Sequence, residues 1–473
     1  MVAGPWGDGS VASSRVETTL IPEQPVDAPA DQRPVARVRG WIAANPVLVA
    51  IVLVGFALRL GWVLVLDPAA PLDWDGAGDQ FGYFFHGNEI AAGRGYHSYI
   101  TGEPTAYYPV GYPLLLAMTF WAGDHLALPG DHIQWALLLN VAVSTASIVL
   151  AYLIGRRLFG RAGGLTGAAI LAVFPNVVFE MASLQLETMV IFWYLLAAAI
   201  VVCHDWSRGL PSSRRLVAFG LVLGVAVLVR PFALWFLLAL LVAALVAGTG
   251  WRRALRATLV PAALVALVSV PWVIRNAISL DAFVPTSTNT GDTLCLDRYD
   301  DATGEWRWSD HEECAPPDAP EVQRNTESTR MALSWVVHNP GRELLQIWRR
   351  GLLIFGSDHD GIEAVNTLGP TPELSSDATY AYSVLGDIAF ALVQVLAAAG
   401  AVVLVATRRR RRPEVVFTLL ATASLIVVPL LLWGNPRFHL PVSPFFAILA
   451  GGAACVGVDA ILRRRGETGR AVA

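Results

Sequence analysis

Apolar runs of roughly 15 to 26 residues alternate with short polar segments along most of the chain. About 20 predominantly apolar residues are enough to cross a bilayer as a helix. The pattern therefore predicts an all-α polytopic membrane protein with about ten transmembrane helices and two long polar stretches. The predicted spans are 41–66, 132–155, 162–179, 184–203, 216–230, 231–248, 257–274, 384–407, 414–433 and 441–462.

The segments between these spans divide the chain into four regions. Residues 1–40 are rich in Pro, Ala, Asp and Ser and predict a disordered cytoplasmic tail. The membrane domain, 41–275, includes a first outer loop at 67–131, and a second outer loop with an interfacial helix covers 276–383. Residues 384–473 hold the last three spans and a second cytoplasmic tail.

Arginine clusters orient the spans, because short cytoplasmic loops collect basic residues. With a cytoplasmic N-terminus, all the clusters fall inside: 156–161, 208–215, 252–256, 408–412 and 463–465. If the apolar piece 109–122 crossed the membrane, every later cluster would lie outside, so it is interpreted as a re-entrant or interfacial helix. Both termini are then cytoplasmic, and both long polar stretches face outward.

Composition adds two constraints. The chain is 55% hydrophobic and 15% charged with a net charge of −4, which argues against a nucleic-acid partner. All 34 basic residues are arginine, so any fixed cation in a binding site is a guanidinium, whose planar fork suits phosphate. Cys295 and Cys314 lie in one outer loop and are either a disulfide or two free thiols.

Four arginines fall at the outer ends of separate predicted spans. They are Arg59, Arg230, Arg275 and Arg437. Each alone is explained by snorkelling to lipid headgroups, and residues 341–355, with three arginines among apolar residues, favour simple headgroup contact as a further interfacial helix. Together, the four arginines at one membrane level indicate a binding site for a phosphate carried at the surface.

Helical spacing in the first outer loop places Asp79, Tyr83 and His86 on one face, with Phe81, Phe84 and Phe85 opposite. This pattern predicts an amphipathic helix at the interface, and Asp79 is either a functional carboxylate or a plain N-cap.

Two further carboxylates, Glu180 and Glu187, flank the short outer loop after residue 179. They either form a paired acid site facing Asp79, or Glu187 complements a helix dipole. His86 and His439 have no metal-ligand spacing, so a divalent metal is unsupported. P-loop, G-x-S-x-G and C-x-x-C motifs are absent from the sequence.

Four local patterns resemble a known class. They are Asp79-Gln80-x-x-Tyr83 with AAGRGY at 91–96, PTAYYPVGYP at 104–113, PWVIRN at 271–276 with FVPTSTNTGD at 283–292, and NPRFHLPVSP at 435–444. In this order, on ten spans, they resemble the GT-C class of membrane glycosyltransferases. The similarity is greatest to the protein O-mannosyltransferase and aminoarabinose transferase branch.

The resemblance implies transfer of a sugar, with inversion, from a polyprenyl-phosphate donor to an acceptor on the outer face of the cell membrane. Asp79 matches the catalytic carboxylate, and the four arginines are the expected phosphate ligands. The acceptor, whether protein, glycolipid or polysaccharide, stays open, as does the sugar. The expected sugar and acceptor pocket comprises Tyr83, His86, Tyr107, Tyr108, Glu187 and His439.

One departure from the class is Gln80, where the mannosyltransferase pattern has Glu, so no role transfers to a second carboxylate there. Two other functions compete with the enzyme. A transporter or flippase of lipid-linked sugars should show internal repeats and midplane charges, and the sequence has neither. A membrane scaffold would leave Asp79 and the outer arginines without a role.

Overall fold

The computed structural model describes residues 1, 40–66, 78–305, 314–316, 319–365, 374–407 and 411–471, with side chains as far as 462. The predicted disordered tail and part of the 408–412 cluster lie outside these residues. The chain divides into two units, Met1–Pro46 and Val47–Ala473. In the first, residues 40–44 are helical. The second contains everything discussed below.

Helices lie at all ten positions where the hydrophobic pattern predicts a span. The first part of the chain contains α1 Pro46–Leu66, α2 Asp79–Ala91, α3 Gly111–His125, α4 His132–Ala172, α5 Pro175–Phe179, α6 Glu187–Val202, α7 Ser213–Val229, α8 Trp235–Val246 and α9 Trp251–Ser279. The second part contains α10 Thr290–Cys295, α11 Glu321–His338, α12 Pro340–Gly356, α13 Asp360–Val365, α14 Ser376–Ala406, α15 Pro413–Leu430 and α16 Ser443–Ala471.

Six of these helices are long and apolar enough to cross a membrane: α1, α4, α9, α14, α15 and α16. Shorter apolar helices lie at Glu187–Val202 and Pro231–Val246. Large apolar side chains on α1 point away from the protein, with Leu53 60% and Leu64 67% exposed. Such a face is expected of a helix surrounded by lipid, while the number of crossings stays a prediction.

α4 is a hairpin of two helical arms rather than one rod. Its backbone leaves helical geometry at Gly160, where φ is 86°, a value that glycine adopts without strain. The Arg59 guanidinium donates to the Ser144 hydroxyl at 2.8 Å and to the Ala172 carbonyl at 2.8 Å. A straight helix would separate those two residues by about 42 Å. The arms therefore run antiparallel and correspond to the predicted spans 132–155 and 162–179.

A second reversal follows α7, where the sequence places a turn at Arg230-Pro231. Arg230 has extended backbone angles, φ −154° and ψ 124°, and a 3₁₀ turn at Pro231–Leu234 leads into α8. Proline restricts the residue before it to extended conformations, which explains why α7 ends here. Arg230 lies between two helices, so the extended backbone at this turn sets the direction of its side chain.

The first outer loop contains two helices, as the sequence predicts. α2 begins at Asp79, and α3 forms over the apolar piece 109–122, which the sequence analysis interprets as a re-entrant or interfacial helix. Tyr112, Leu116 and Phe120 form the buried face of α3, whereas Met118 is 61% and Trp121 54% exposed. A helix with one packed face and one exposed apolar face agrees with an interfacial position.

The second polar stretch contains α10 to α13, and Cys295 and Cys314 form a disulfide there.

The expectation of headgroup contact for the arginines of residues 341–355 fails for Arg350. This side chain is fully buried and pairs with Asp297 at 2.5 Å and Glu343 at 2.8 Å. The apolar side chains of α12 point outward instead, because the charged face packs into the protein: Leu344 is 69%, Trp348 65% and Leu352 56% exposed.

Candidate active site

Asp79 is the first residue of α2, and its carboxylate does not cap the helix. The N-cap position is Gly78, and no side chain caps the backbone there. The carboxylate accepts a hydrogen bond from the Tyr108 hydroxyl at 2.9 Å and pairs with Arg437 Nη2 at 2.8 Å. Its side chain is 31% exposed. Asp79 is therefore a partly accessible carboxylate held by two specific partners.

Arg437 comes from the far end of the sequence, 358 residues after Asp79. It lies in the 3₁₀ turn Pro436–His439, where the Asn435 side chain caps the turn by accepting from the Arg437 main-chain N–H at 2.8 Å. The guanidinium also donates to Gln185 Oε1 at 2.8 Å and lies 3.2 Å from Glu187. Three elements distant in sequence therefore converge on one cation.

Glu187 links Arg437 to a second arginine. Its fully buried carboxylate lies 3.0 Å from Arg230 and 3.2 Å from Arg437. Arg230 is also 5.4 Å from the ring centroids of Phe232 and Phe438, on which its charge is stabilised. Arg230 Nη1 has no hydrogen-bond partner among the described residues. The cluster of Asp79, Glu187, Arg230 and Arg437 balances two negative and two positive charges.

The electrostatics of this cluster keep Asp79 ionised. Burial alone would raise the pKa of Asp79, but the charge and hydrogen bond of Arg437 and the hydrogen bond of Tyr108 outweigh burial. The pKa therefore lies below its ordinary value of 3.8. An ionised carboxylate with a free surface can accept a proton from a bound hydroxyl group.

Tyrosines line the Asp79 side of the cluster. Tyr83 is 3% exposed, and its ring centroid lies 5.1 Å from Tyr108 and 5.3 Å from Tyr112. Tyr107, beside Tyr108, donates to Asp292 at 3.2 Å and so links the PTAYYPVGYP segment, 104–113, to α10. Of the predicted pocket, Tyr83 and Tyr108 are thus adjacent to Asp79, whereas Tyr107 supports them from the outer loop.

His86 and Arg275 lie together in a neighbouring layer. The His86 ring stacks on Tyr96 with centroids 4.1 Å apart, and burial, with the charge of Arg275, lowers its pKa to about 4. Arg275 donates to the Thr105 and Tyr96 carbonyls and lies over the Tyr96 ring. Arg275 therefore fastens α9 to the PTAYYPVGYP motif, and no contact joins it to the Asp79 cluster among the described residues.

Two other predicted site residues lie elsewhere. Arg59 is fully buried, with its nitrogens donating to Ser144 and to backbone carbonyls of Gly55, Leu171 and Ala172. Its interactions close the α4 hairpin, so the expectation of a phosphate ligand fails on geometry.

His439 is also fully buried, as the last residue of the turn that carries Arg437. Nδ1 donates to the Ile354 carbonyl at 2.6 Å, and Nε2 lies 2.6 Å from Asp358. The ring therefore anchors the turn instead of lining a sugar pocket.

Two glutamines contribute to the site although the sequence analysis assigns no role to either: Gln185, which it does not name, and Gln80, which it names only as a departure from the resembled class. Gln185 accepts from Arg437, and its signal was its place two residues before Glu187. Gln80, where the resembled class has Glu, is fully buried; it donates to the Ala364 carbonyl at 2.9 Å and accepts from Leu184 N at 2.7 Å. Gln80 thus joins α2 to the loop that carries Glu187. No group of three or more His, Cys, Asp or Glu that could hold a metal occurs in the described part of the chain.

Comparisons with known proteins agree with this architecture. Residues 113–274 match the family model of dolichyl-phosphate-mannose-protein mannosyltransferases. The matched part contains Glu187 and Arg230, while Asp79 and Arg437 lie outside it. No curated protein matches the chain.

Solved structures are similar over most of the chain. The oligosaccharyltransferase of Archaeoglobus fulgidus in its apo form aligns at a TM-score of 0.53 and 16% identity, over 90% of this chain and 52% of that one. Its complex with Zn and sulfate gives a TM-score of 0.51, 17% identity, and coverage of 88% and 50%. The chain thus spans about half the length of that enzyme.

ArnT from Cupriavidus metallidurans bound to undecaprenyl phosphate aligns at a TM-score of 0.39 and 15% identity, over 88% of this chain and 78% of that one. The likeness to the archaeal oligosaccharyltransferase shows that the two chains share a fold, and it confirms the helical, GT-C-like fold class predicted from the sequence.

Proposed function

We propose that this chain is an inverting glycosyltransferase that moves a sugar from a polyprenyl-phosphate donor to a hydroxyl group of an acceptor. The observation that carries the proposal is the 2.8 Å contact between Asp79 and Arg437. In this contact a carboxylate lies directly beside a guanidinium, and Glu187 joins a second arginine to them. Transfer from a lipid phosphate needs both groups within the length of one sugar phosphate.

The chemistry is a single displacement at the anomeric carbon. The acceptor oxygen forms a bond to that carbon from the face opposite the phosphate, and the carbon–oxygen bond to the phosphate breaks. The phosphate keeps the electron pair, and the acceptor proton passes to the Asp79 carboxylate. One displacement inverts the configuration of the sugar. Polyprenyl phosphate and the glycosylated acceptor are the products.

Arg437 and Arg230 are the proposed ligands of the donor phosphate. Fixed cations stabilise the negative charge that grows on the leaving phosphate, and they act strongly in a site with little water. No group in the described part of the chain accepts from Nη1 of Arg230, so this donor is available to a phosphate oxygen. Glu187 holds both guanidinium groups in place before the donor arrives. Arg59 and Arg275 have no part in this proposal.

The membrane position suits a lipid-linked donor. Arg230 follows α7 directly, and Arg437 lies just after α15, so both are at helix ends where a phosphate would meet the bilayer surface. The positive-inside pattern of the arginine clusters supports cytoplasmic termini and a site on the outer face of the cell membrane. The sugar is mannose or another hexose or pentose, and the acceptor is a protein, glycolipid or polysaccharide.

The proposal is tested by reconstituting the protein in proteoliposomes with polyprenyl phosphates that carry mannose, glucose, galactose or arabinose. Cell-envelope extract supplies acceptors, and the release of polyprenyl phosphate is measured. We expect release from at least one donor, dependent on the extract. Arg275→Gln serves as a control for an arginine outside the cluster, and its donor KM should match wild type. Failure to bind or consume any of the polyprenyl-phosphate sugars would contradict the proposed function.

A further inference from the structure

Glu180 has a buried carboxyl group that the fold leaves unsatisfied. Its side chain is in the 3₁₀ turn Glu180–Ala182 and only 1% exposed, and neither carboxyl oxygen has a hydrogen-bond partner among the described residues. The nearby Ser183 hydroxyl lowers the pKa of Glu180, but its hydrogen bond goes to the Glu180 main-chain carbonyl, at 3.0 Å. Buried polar side chains in native proteins are nearly always hydrogen-bonded to protein, water or ligand, so this carboxyl group has hydrogen-bonding capacity to offer a bound molecule.

The turn around Glu180 is well fixed. Asn140 donates to the Ser183 carbonyl at 2.9 Å, and Leu184 N donates to Gln80 Oε1 at 2.7 Å. Both bonds are buried and join the turn to α4 and α2. The carboxyl group is therefore held in place by its surroundings, and its unpartnered state does not come from a loose loop.

The other buried glutamates among the described residues have arginines beside them. Glu414, 2% exposed, lies 3.1 Å from Arg157 and 2.9 Å from Arg412. Glu187 lies between Arg230 and Arg437. Glu180 has no ion pair within the described residues, so it is not a structural carboxylate of the same kind.

The charges around Glu180 favour its neutral form. Burial has the largest effect and raises the pKa of Glu180 well above its ordinary value, and the negative charges of Glu187 and Asp360 raise it further. The positive charge of Arg437 opposes these effects without cancelling them. A neutral carboxyl group has one O–H donor and a carbonyl acceptor, the pair of functions that a sugar hydroxyl group complements.

We propose that Glu180 recognises the sugar of the donor, through hydrogen bonds between its carboxyl group and hydroxyl groups on the sugar ring. The charges of Glu187 and Arg437 both act on the Glu180 carboxyl group, so Glu180 lies near the proposed phosphate ligands, and the sugar would lie between them. The inference rests on the proposed function, because it takes the phosphate site as given. It adds a specificity-determining residue that tells a sugar-bearing lipid from the bare lipid phosphate.

The test compares two ligands on the same protein in nanodiscs. Wild type, Glu180→Ala and Glu180→Gln are titrated with polyprenyl phosphate and with the polyprenyl-phosphate sugar, among mannose, glucose, galactose and arabinose, that wild type binds most tightly. We expect Glu180→Ala to bind the sugar-bearing ligand about tenfold more weakly, with the affinity for polyprenyl phosphate within twofold of wild type. Glu180→Gln, which keeps a donor and an acceptor, should restore most of the loss.

Glu414→Gln is the matched control for changing a buried glutamate, and it should alter neither affinity. Equal losses for both ligands in Glu180→Ala, or no loss for either, would overturn the inference. So would a wild-type protein that binds no sugar-bearing lipid more tightly than polyprenyl phosphate. If wild type binds neither polyprenyl phosphate nor any of the polyprenyl-phosphate sugars, the proposed function itself fails, and the inference fails with it.

A measurement on unmutated protein covers the case in which Glu180→Ala does not fold. Single-deoxy analogues of the preferred sugar, linked to polyprenyl phosphate, are titrated against wild type. Removal of the hydroxyl group that contacts Glu180 should weaken binding about tenfold, because a buried carboxyl is then left unpartnered again. Equal affinity for every deoxy analogue would overturn the inference.

Discussion

Asp79→Asn removes the proposed base while changing the site as little as a substitution can. Asparagine keeps the shape of the side chain. Its single amide oxygen can still accept from Arg437, which lies 2.8 Å from the aspartate, and its NH2 group can donate to the Tyr108 hydroxyl, which lies at 2.9 Å. It cannot take up a proton from the acceptor. The variant therefore separates the base from the hydrogen-bonding role of the same position.

The expected magnitudes for catalysis and for stability differ widely. Loss of a general base lowers kcat by about 10²- to 10⁴-fold, which corresponds to about 2.7–5.4 kcal/mol of transition-state stabilisation. The cost to folding should be about 1 kcal/mol, since the Asp79 side chain is 31% exposed and its pairing with Arg437 is partly screened. Glu187 stays beside Arg437 and Arg230, and the cluster then carries one net positive charge.

The assay is steady-state transfer in proteoliposomes, with thermal unfolding and polyprenyl phosphate binding measured on the same samples. We expect kcat to fall at least 100-fold, while the unfolding temperature and the affinity for polyprenyl phosphate stay close to wild type. Tyr108→Phe provides the comparison, because it removes one hydrogen bond to Asp79 and leaves the carboxylate present. A folded Asp79→Asn variant that keeps more than a tenth of wild-type turnover would refute the assignment of Asp79 as base.

Three further predictions concern other parts of the molecule. Arg437→Gln or Arg230→Gln should weaken polyprenyl phosphate binding about 10- to 100-fold, since a hydrogen bond to a charged group contributes about 1.5–3 kcal/mol; unchanged titrations for both would mean that they only hold Glu187. Cys295→Ser with Cys314→Ser should make the outer loop more sensitive to limited proteolysis, because a disulfide closing a loop of this size contributes about 3 kcal/mol; identical cleavage rates would contradict this. Hydrogen bonds to nearby carboxylates raise the pKa of His359 to about 9 despite burial, so its stabilising effect is complete below about pH 6.5 and lost as pH rises to 9; the unfolding temperature should fall by about 1–2 °C over that window, and His359→Gln should abolish this fall.

The hydrophobic pattern predicts the helices well because the lipid solvent imposes it directly. Every helix that spans a bilayer must be apolar over most of its length, so runs and interruptions in the sequence locate the elements. The two reversals at Gly160 and Arg230-Pro231 also have local causes, a positive φ and a proline. Both features are properties of one or two residues and their neighbours.

The second outer loop shows where such reasoning stops. Arg350 and the apolar side chains of α12 predict an interfacial helix with arginines toward lipid headgroups. In the structure the charged face of the helix is buried instead, because Asp297 and Glu343 are buried partners for Arg350. Those carboxylates are 53 and 7 residues away in the sequence. An amphipathic pattern defines two faces but does not say which of them the rest of the protein covers.

The same limit explains the outcome for the four arginines that the sequence predicts at the outer ends of their spans. Position along a span gives the depth of a side chain, and by depth Arg59, Arg230, Arg275 and Arg437 are equivalent. Direction around the helix axis depends on packing between spans that are far apart in sequence. Arg59 and Arg275 donate hydrogen bonds to backbone carbonyls, whereas Arg230 and Arg437 form ion pairs with Glu187. An arginine that donates to backbone carbonyls stabilises the fold. An arginine paired with a carboxylate can instead pair with another anion, such as a phosphate. The partner, which depth does not reveal, therefore separates the proposed phosphate ligands from the structural arginines.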